Sequence, residues 1–354
     1  MRIAQLAPTY ERVPPQTYGG TELIVHLTTE ALVARGHDVT LFASGDSITA
    51  ATLRSITDTP KRYGESTPEG FAHAEYLQLA NAQAAFRAAA DGSFDVVHNH
   101  AGIEGMVLAA ESRTPVISTM HNSFAPATQP IWDAYPWFHH AVSAASAATY
   151  PTRGALPPIH HGVAVETFRF EPSPDGGYLL FLGRFSQAKG ADRAIEAARR
   201  SGRRLILAGK VDTADADYVA KGVEPLLDGD QIRYVGEADW SEKRDLLAGA
   251  DALLFPIEWN EPFGLVMVEA LSSGTPVIGF RRASVPEVIE HGQTGFVVDD
   301  VDGMVEAIGR IGEIDRQACR AAAEARFSVK RMVDDIEAMY RSVLDSVGAG
   351  AVGV

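Results

Sequence analysis

The sequence predicts an α/β protein made of two doubly wound parallel sheets. Three observations carry this expectation. The chain has 354 residues, enough for two domains at about 150 residues each. Short β-branched runs alternate with longer Ala-rich amphipathic segments over nearly the whole length, which is the pattern of βα units. A composition break at 151–177, crowded with Pro151, Pro157, Pro158, Pro172, Pro174, Gly176 and Gly177, divides that pattern in two.

In the first half, strands are expected at 2–7, 39–44, 94–99, 115–120 and 140–145, with helical spacing at 20–35 and 71–90. Residues 57–70 hold Pro60, Gly64, Pro68 and Gly70 and read as a surface loop. Beyond the connector the pattern restarts at 178–182 and continues at 204–208, 231–235, 251–256, 276–280 and 295–298, each run followed by a helical segment. Residues 329–346 form a last amphipathic helix, and 348–354 a frayed tail. The expected domains are 1–165 and 166–328.

Composition narrows the function. Hydrophobic residues at 46% and charged residues at 22% exclude disordered and fibrous classes. A net charge of −15 repels a phosphate backbone and an anionic membrane, so nucleic acid is not an expected partner. Cys319 is the single cysteine, which excludes an intrachain disulfide and points to a reducing cytoplasm. The opening residues Met1–Pro8 are too short an apolar run for a signal peptide and read as a first strand. No run approaches the roughly 20 apolar residues of a transmembrane segment.

Polar residues just after strands are where an open α/β sheet does its chemistry. The densest such group is Asn260-Glu261-Pro262-Phe263-Gly264-Leu265 with Glu269 further on. Pro262 suits a first helical turn, so Glu261 is expected at the helix entrance and Glu269 inside the helix. Eight helical residues rise about 12 Å, too far for two glycosidase carboxylates, which sit roughly 5–9.5 Å apart. The pair could instead bracket a long ligand, with an anion between them at the N–H groups of Phe263, Gly264 and Leu265.

A second group is Gly183-Arg184 with Lys189-Gly190, a glycine-bounded loop after strand 178–182 whose two cations could clasp a diphosphate. It matches neither the P-loop nor a G-x-G-x-x-G dinucleotide loop. A third is Tyr18-Gly19-Gly20-Thr21-Glu22, where paired glycines let backbone approach a ligand. His98, His100 and His121 end strands, with His160 and His161 at the connector; a strand-end histidine reads first as a hydrogen-bonding residue, and no metal site is expected. Asp215-Ala216-Asp217 has the letters of a metal-holding D-x-D, but opens a helical segment where acids are favoured in any case.

Together these segments resemble the retaining glycosyltransferases of family 4, whose GT-B architecture faces two Rossmann-like domains across a cleft. The likeness runs through Gly19-Gly20, Arg35-Gly36-His37-Asp38-Val39-Thr40, His121, His161-Gly162-Val163, Gly183-Arg184, Lys189-Gly190, Glu261-Pro262-Phe263-Gly264, Glu269-Ala270 and Gly274-Thr275-Pro276-Val277. The resemblance implies that Arg184 and Lys189 bind a donor diphosphate, with Gly183, Gly19 and Gly20 close to it. It implies that Glu269 holds the ribose and that Glu261, with the N–H groups of Phe263, Gly264 and Leu265, meets the donor sugar. His121 resembles the histidine that reaches the transferred sugar, and Gly236–Asp239 would read the base. It further implies a nucleoside diphosphate sugar as donor, UDP-glucose or a relative with GDP-mannose as a further candidate, a hydroxyl acceptor, no essential metal or cofactor, and a final helix packed back on the first domain. The linker departs from the family pattern, reading His161-Gly162-Val163-Ala164 where Asn-Gly-Val-Asp is usual. Two alternatives stay open: a sugar-nucleotide epimerase of the same architecture, and a catalytically silent sugar-nucleotide-binding protein.

Overall fold

The computed structural model describes residues 1–16, 19–60, 68–109, 112–134 and 138–348. Tyr18, residues 61–67 of the expected loop and the tail beyond Gly348 lie outside the described residues. The chain divides into two compact units, Met1–Gly162 with Val329–Val354, and Val163–Ser328.

Unit 1 is a six-stranded parallel sheet of β1 (Arg2–Leu6), β2 (Asp38–Phe42), β3 (Thr52–Arg54), β4 (Val96–Asn99), β5 (Val116–Met120) and β6 (Phe138–Ala141), in the order β3-β2-β1-β4-β5-β6. Side chains of a strand alternate between faces, and both faces are covered. Ala4, Leu6, Phe42 and Val97 pack under Ala82, Ala85, Phe86 and Ala89 of the helix Pro68–Ala89. Ala7, Leu41 and Ala43 pack with Val25 of the helix Gly20–Ala34. The helix Val329–Gly348 belongs to this unit and lies against the helix Gly20–Ala34. Its entry is fixed by Arg331, which donates to the carbonyls of His160 at 2.6 Å and His161 at 3.1 Å.

Unit 2 repeats the plan with β7 (Tyr178–Leu182), β8 (Arg204–Ala208), β9 (Ile232–Tyr234), β10 (Ala252–Phe255), β11 (Val277–Phe280) and β12 (Gly295–Val298), ordered β12-β11-β10-β7-β8-β9. Leu179, Leu180, Leu253, Leu254 and Ile278 are fully buried, the near-continuous apolar runs of a sheet covered on both faces. Strands begin and end within two residues of their expected places except β6, expected at 140–145, which starts two residues earlier and ends four residues earlier, at Ala141. The elements not expected include β3, only three residues long, the helix Gly102–Ala109, which begins on a glycine and holds another, and the short helices Gln129–Ala134 and Ala144–Ala147. Among the described residues no helix is long and apolar enough to cross a membrane.

Candidate functional site

A parallel open sheet offers a crevice beyond its carboxyl ends where the strand order reverses. In unit 2 the reversal lies between β7 and β10. The loop after β7 carries Gly183, Arg184 and Lys189, and the loop after β10 carries Trp259, Glu261, Phe263 and Gly264. These loops are tied by the Glu258 N–H donating to Ala188 O at 2.9 Å. Arg193 bridges them again, donating to Gln187 O at 2.8 Å and Pro256 O at 3.1 Å. Gly190 has φ +79, and a Cβ there would sit 2.5 Å from Pro256 O, so only glycine lets the loops come this close.

The strongest contact across the reversal is an ion pair. Lys189 Nζ donates to Glu261 Oε2, which also accepts from Trp259 Nε1 at 3.1 Å. The pair is mostly enclosed, with side chains 18% and 12% exposed, and the ammonium lies 4.9 Å from the Trp259 ring centroid. Partial desolvation strengthens such a pair relative to a surface one. Ser284 Oγ holds the loop backbone in place, donating to Phe263 O at 2.8 Å and Glu261 O at 3.2 Å.

Arg184 turns to a different neighbour. Its guanidinium pairs with Asp212 at 3.2 Å and Asp215 at 3.8 Å on the loop after β8, and is 41% exposed. Burial pushes the Asp212 carboxyl up, but hydrogen bonds from Lys210 and Arg184 outweigh it and hold it below the usual range. The loops after β7 and β8 touch closely: a Cβ on Gly209 would lie 1.9 Å from Gly183 O. Gly236, beyond β9, accepts from the Gly209 N–H at 2.8 Å. Gly183, Gly209 and Gly236 thus follow three neighbouring strands.

The expected helix entrance is corrected. The helix runs Leu265–Ser272 with Gly264 as N-cap at φ 80 and ψ 65, so Glu261 and Pro262 lie in the loop before it. The left-handed Gly264 redirects the chain, and the first helical N–H belongs to Leu265, not to Phe263 or Gly264. Glu269 is inside the helix as expected, 3% exposed and paired with Lys243, whose ammonium lies 5.1 Å from the Trp240 ring. The D-x-D acids part company: Asp215 faces Arg184, and the exposed Asp217 pairs with Lys221 at 2.7 Å. No group of acids, histidines and cysteine that could hold a metal occurs among the described residues.

In unit 1, Gly19 caps the helix that Gly20 opens. A Cβ on Gly19 would sit 2.7 Å from Pro15 and 3.0 Å from Glu22 Oε2. Burial, aided by Glu11, pushes the Glu22 carboxyl up to about 7 against its own backbone N–H. His121 follows β5; its Nε2 lies 2.9 Å from His100 Nδ1 and its Nδ1 3.3 Å from His161 Nε2. Burial pushes its imidazole down to about 3, with His140 adding to the effect.

Sequence reasoning passed over Lys210, Lys243 and Trp259. Lys210 was findable: Gly209-Lys210 follows β8 as Gly183-Arg184 follows β7. Lys243 sits within a helix whose Asp239/Glu242 capping box is an ordinary start signal, and nothing local marks it. A cavity of about 340 Å³ in unit 2 is lined by Arg203, Asp251, Pro276 and Arg316. It opens by the residues preceding β8, β10 and β11, the opposite edge from the site residues.

Two family models match the chain. "Glycosyltransferase Family 4" covers residues 18–164 and "Glycosyl transferases group 1" covers 165–326. A phosphatidyl-myo-inositol mannosyltransferase of Mycolicibacterium smegmatis is 26% identical, over 93% of this chain and 88% of the relative. A glycogen synthase of Mycobacterium tuberculosis is 27% identical, over 95% and 91%. Among solved structures, AviGT4, a glycosyltransferase involved in avilamycin A biosynthesis, superposes with a TM-score of 0.71 at 26% identity, covering 98% of both chains. Anabaena Alr3699/HepE in complex with UDP and glucose superposes with a TM-score of 0.70 at 20% identity, over 97% and 100%, a likeness of fold.

Proposed function

Because the chain belongs to the glycosyltransferases of family 4, with their GT-B fold, we propose that it moves a hexose from a nucleoside diphosphate sugar to a hydroxyl acceptor with retention of configuration. UDP-glucose is the first candidate donor and GDP-mannose the second. The observation that carries this reading is the Lys189–Glu261 pair spanning the β7/β10 reversal. It sets a cation for phosphate beside a carboxylate for sugar hydroxyls.

In the proposed reaction the bond from the anomeric carbon to the diphosphate oxygen breaks, and a bond from that carbon to the acceptor oxygen forms on the same face. The acceptor proton passes to the leaving diphosphate, so no side chain need act as base. Lys189 and Arg184 stabilise the charge growing on the leaving group, which is preorganised electrostatic catalysis. Glu261, with the backbone of Phe263, Gly264 and Leu265, orients the sugar. Glu269 receives the ribose, and backbone near Gly236 reads the base. Gly19, Gly20 and His121 take the donor-related roles that the family resemblance implies for them. No step of this scheme uses a metal.

A thermal-shift panel of UDP-glucose, GDP-mannose, ADP-glucose and UDP-N-acetylglucosamine tests the reading. One of them should raise the midpoint, by the equivalent of about 2.7 kcal/mol at a hundredfold excess over Kd, and the shift should persist in EDTA. A panel with no shift overturns the donor assignment; a shift that needs Mn²⁺ overturns the metal-free scheme.

A further inference from the structure

The face of the unit 1 sheet that carries Gln5 is not apolar. Gln5 of β1 stands in register with His98 of β4, and Thr119 of β5 with His140 of β6. All four are buried, and Tyr340 of the helix Val329–Gly348, itself fully buried, lies over them. A continuous hydrogen-bond chain runs through these residues. His140 Nδ1 contacts Ala141 O at 3.2 Å and His140 Nε2 contacts Thr119 Oγ1 at 2.7 Å. Thr119 Oγ1 reaches His98 Nε2 at 2.6 Å, and His98 Nδ1 reaches Tyr340 OH at 2.6 Å. The Tyr340 hydroxyl meets Gln5 Nε2 at 3.2 Å, and Gln5 Oε1 meets His100 Nε2 at 2.9 Å. His100 then joins His121, and His121 joins His161.

One end fixes the direction of every proton. A carbonyl only accepts, so His140 carries its proton on Nδ1 and its Nε2 accepts from the Thr119 hydroxyl. Thr119 in turn accepts from His98 Nε2–H, which leaves His98 Nδ1 to accept from the Tyr340 hydroxyl. That hydroxyl accepts from the Gln5 amide N–H, so Gln5 Oε1 faces His100 and accepts from its Nε2–H. His100 Nδ1 accepts from His121 Nε2–H, and His121 Nδ1 accepts from His161 Nε2–H. His140, His98, His100 and His121 each give one proton and take one, which only neutral rings can do. Burial first, and neighbouring histidines second, push His98, His100 and His161 well below the usual value.

We propose that Tyr340 is a positioning residue for His121: its hydroxyl fixes the direction of this eight-membered chain and so holds the His121 imidazole in one rotamer with its proton on Nε2. Without that hydroxyl the Gln5 amide is released to turn over, and the protons of His100, His121 and His161 can reverse together. A phenylalanine would fill the same space, so the hydroxyl is needed for direction, not for bulk. The inference rests on the reading of His121 as a group that meets the donor sugar, where a ring with both nitrogens engaged serves as a fixed dipole and not as a base.

The test is ¹⁵N-histidine NMR of the full chain at pH 7, which reads the protonated nitrogen of each ring. Wild type should show Nε2–H at His98, His100, His121 and His161 and Nδ1–H at His140. In Tyr340→Phe the His121 signals should move toward the Nδ1–H form. In Thr119→Val, which cuts the chain from its carbonyl anchor, they should move the same way by less; this variant decides the matter if Tyr340→Phe does not fold. A wild-type His121 protonated on Nδ1 or on both nitrogens overturns the proposal. So do unchanged His121 signals in both folded variants. With UDP-glucose as donor, UDP release by Tyr340→Phe should lose roughly tenfold in kcat with KM within about twofold; an equal change in both parameters overturns the positioning role. Failure of the donor reading shows separately, as no turnover by wild type with any nucleotide sugar, and leaves the NMR result standing.

Discussion

The two sheets share a plan and differ in what they do with polarity. Unit 2 has an apolar sheet interior and carries opposed ion pairs in the loops and helices that follow its strands, among them Lys189–Glu261, Arg184–Asp212 and Lys243–Glu269. Unit 1 buries its polar groups within the sheet as uncharged histidines, a threonine, a glutamine and a tyrosine. A charge is tolerated where water or a partner is near, whereas a buried hydroxyl or imidazole needs only complete hydrogen bonding. The contrast teaches that one half of the fold keeps its polarity as ion pairs outside the sheet and the other as neutral dipoles within it; under the proposed function the first is the half that meets the diphosphate.

The largest effect that could break this comparison is in the charged half. Lys189→Ala should lower kcat/KM by roughly 100-fold, since under the proposed function it removes a cation at the leaving group, and it strands an enclosed Glu261 carboxylate. A rate near wild type would show that the pair is structural only.

The next is a difference in acid sensitivity. His121 and His140 have folded-state values of about 3 and about 4 against 6.5 in an unfolded chain, and His98, His100 and His161 are lowered too. Between those values the unfolded chain binds more protons than the folded one, so this stabilisation is fully present above about pH 6.5 and is lost as pH falls toward 3. Each such ring adds up to about 1.4 kcal/mol per pH unit. Unit 2 has a single histidine, the exposed His291. Hydrogen exchange followed as pH falls should therefore lose protection in β1 and β4–β6 before β7–β12, and simultaneous loss would erase the distinction.

The smallest concerns Arg184. Its pairs are partly exposed, so Arg184→Ala should change stability by no more than about 1 kcal/mol. It should weaken donor binding, read by calorimetry, less than Lys189→Ala does. The reverse order would move the centre of phosphate binding toward the β8 loop.

Much of the architecture was legible because βα alternation is a local signal. The strands of both sheets follow from short apolar runs, and the site loops from glycines and cations placed just after them. What escaped was either too short to have a period, as with Thr52–Arg54, or settled by one backbone angle. Gly264 in the left-handed region shows no sign in the sequence of whether the helix starts before or after Pro262, so Glu261 was placed a turn too far along. The Lys189–Glu261 contact joins residues 72 apart, and only the strand order brings them together. The histidine chain was hidden more deeply. Positions 5, 98, 119, 140 and 340 meet through sheet register and a helix returning from the far end, and no spacing along the chain marks them.

That returning helix has a consequence for how the protein is made. Gln5 and Tyr340 are 335 residues apart and share a buried hydrogen bond. Domains that are continuous in sequence finish folding in the order they leave the ribosome. Unit 1 is not continuous: the whole of 163–328 is synthesised before Tyr340 emerges. Unit 1 therefore cannot be completed until the other unit has been translated, and its polar row stays unroofed until Tyr340 follows.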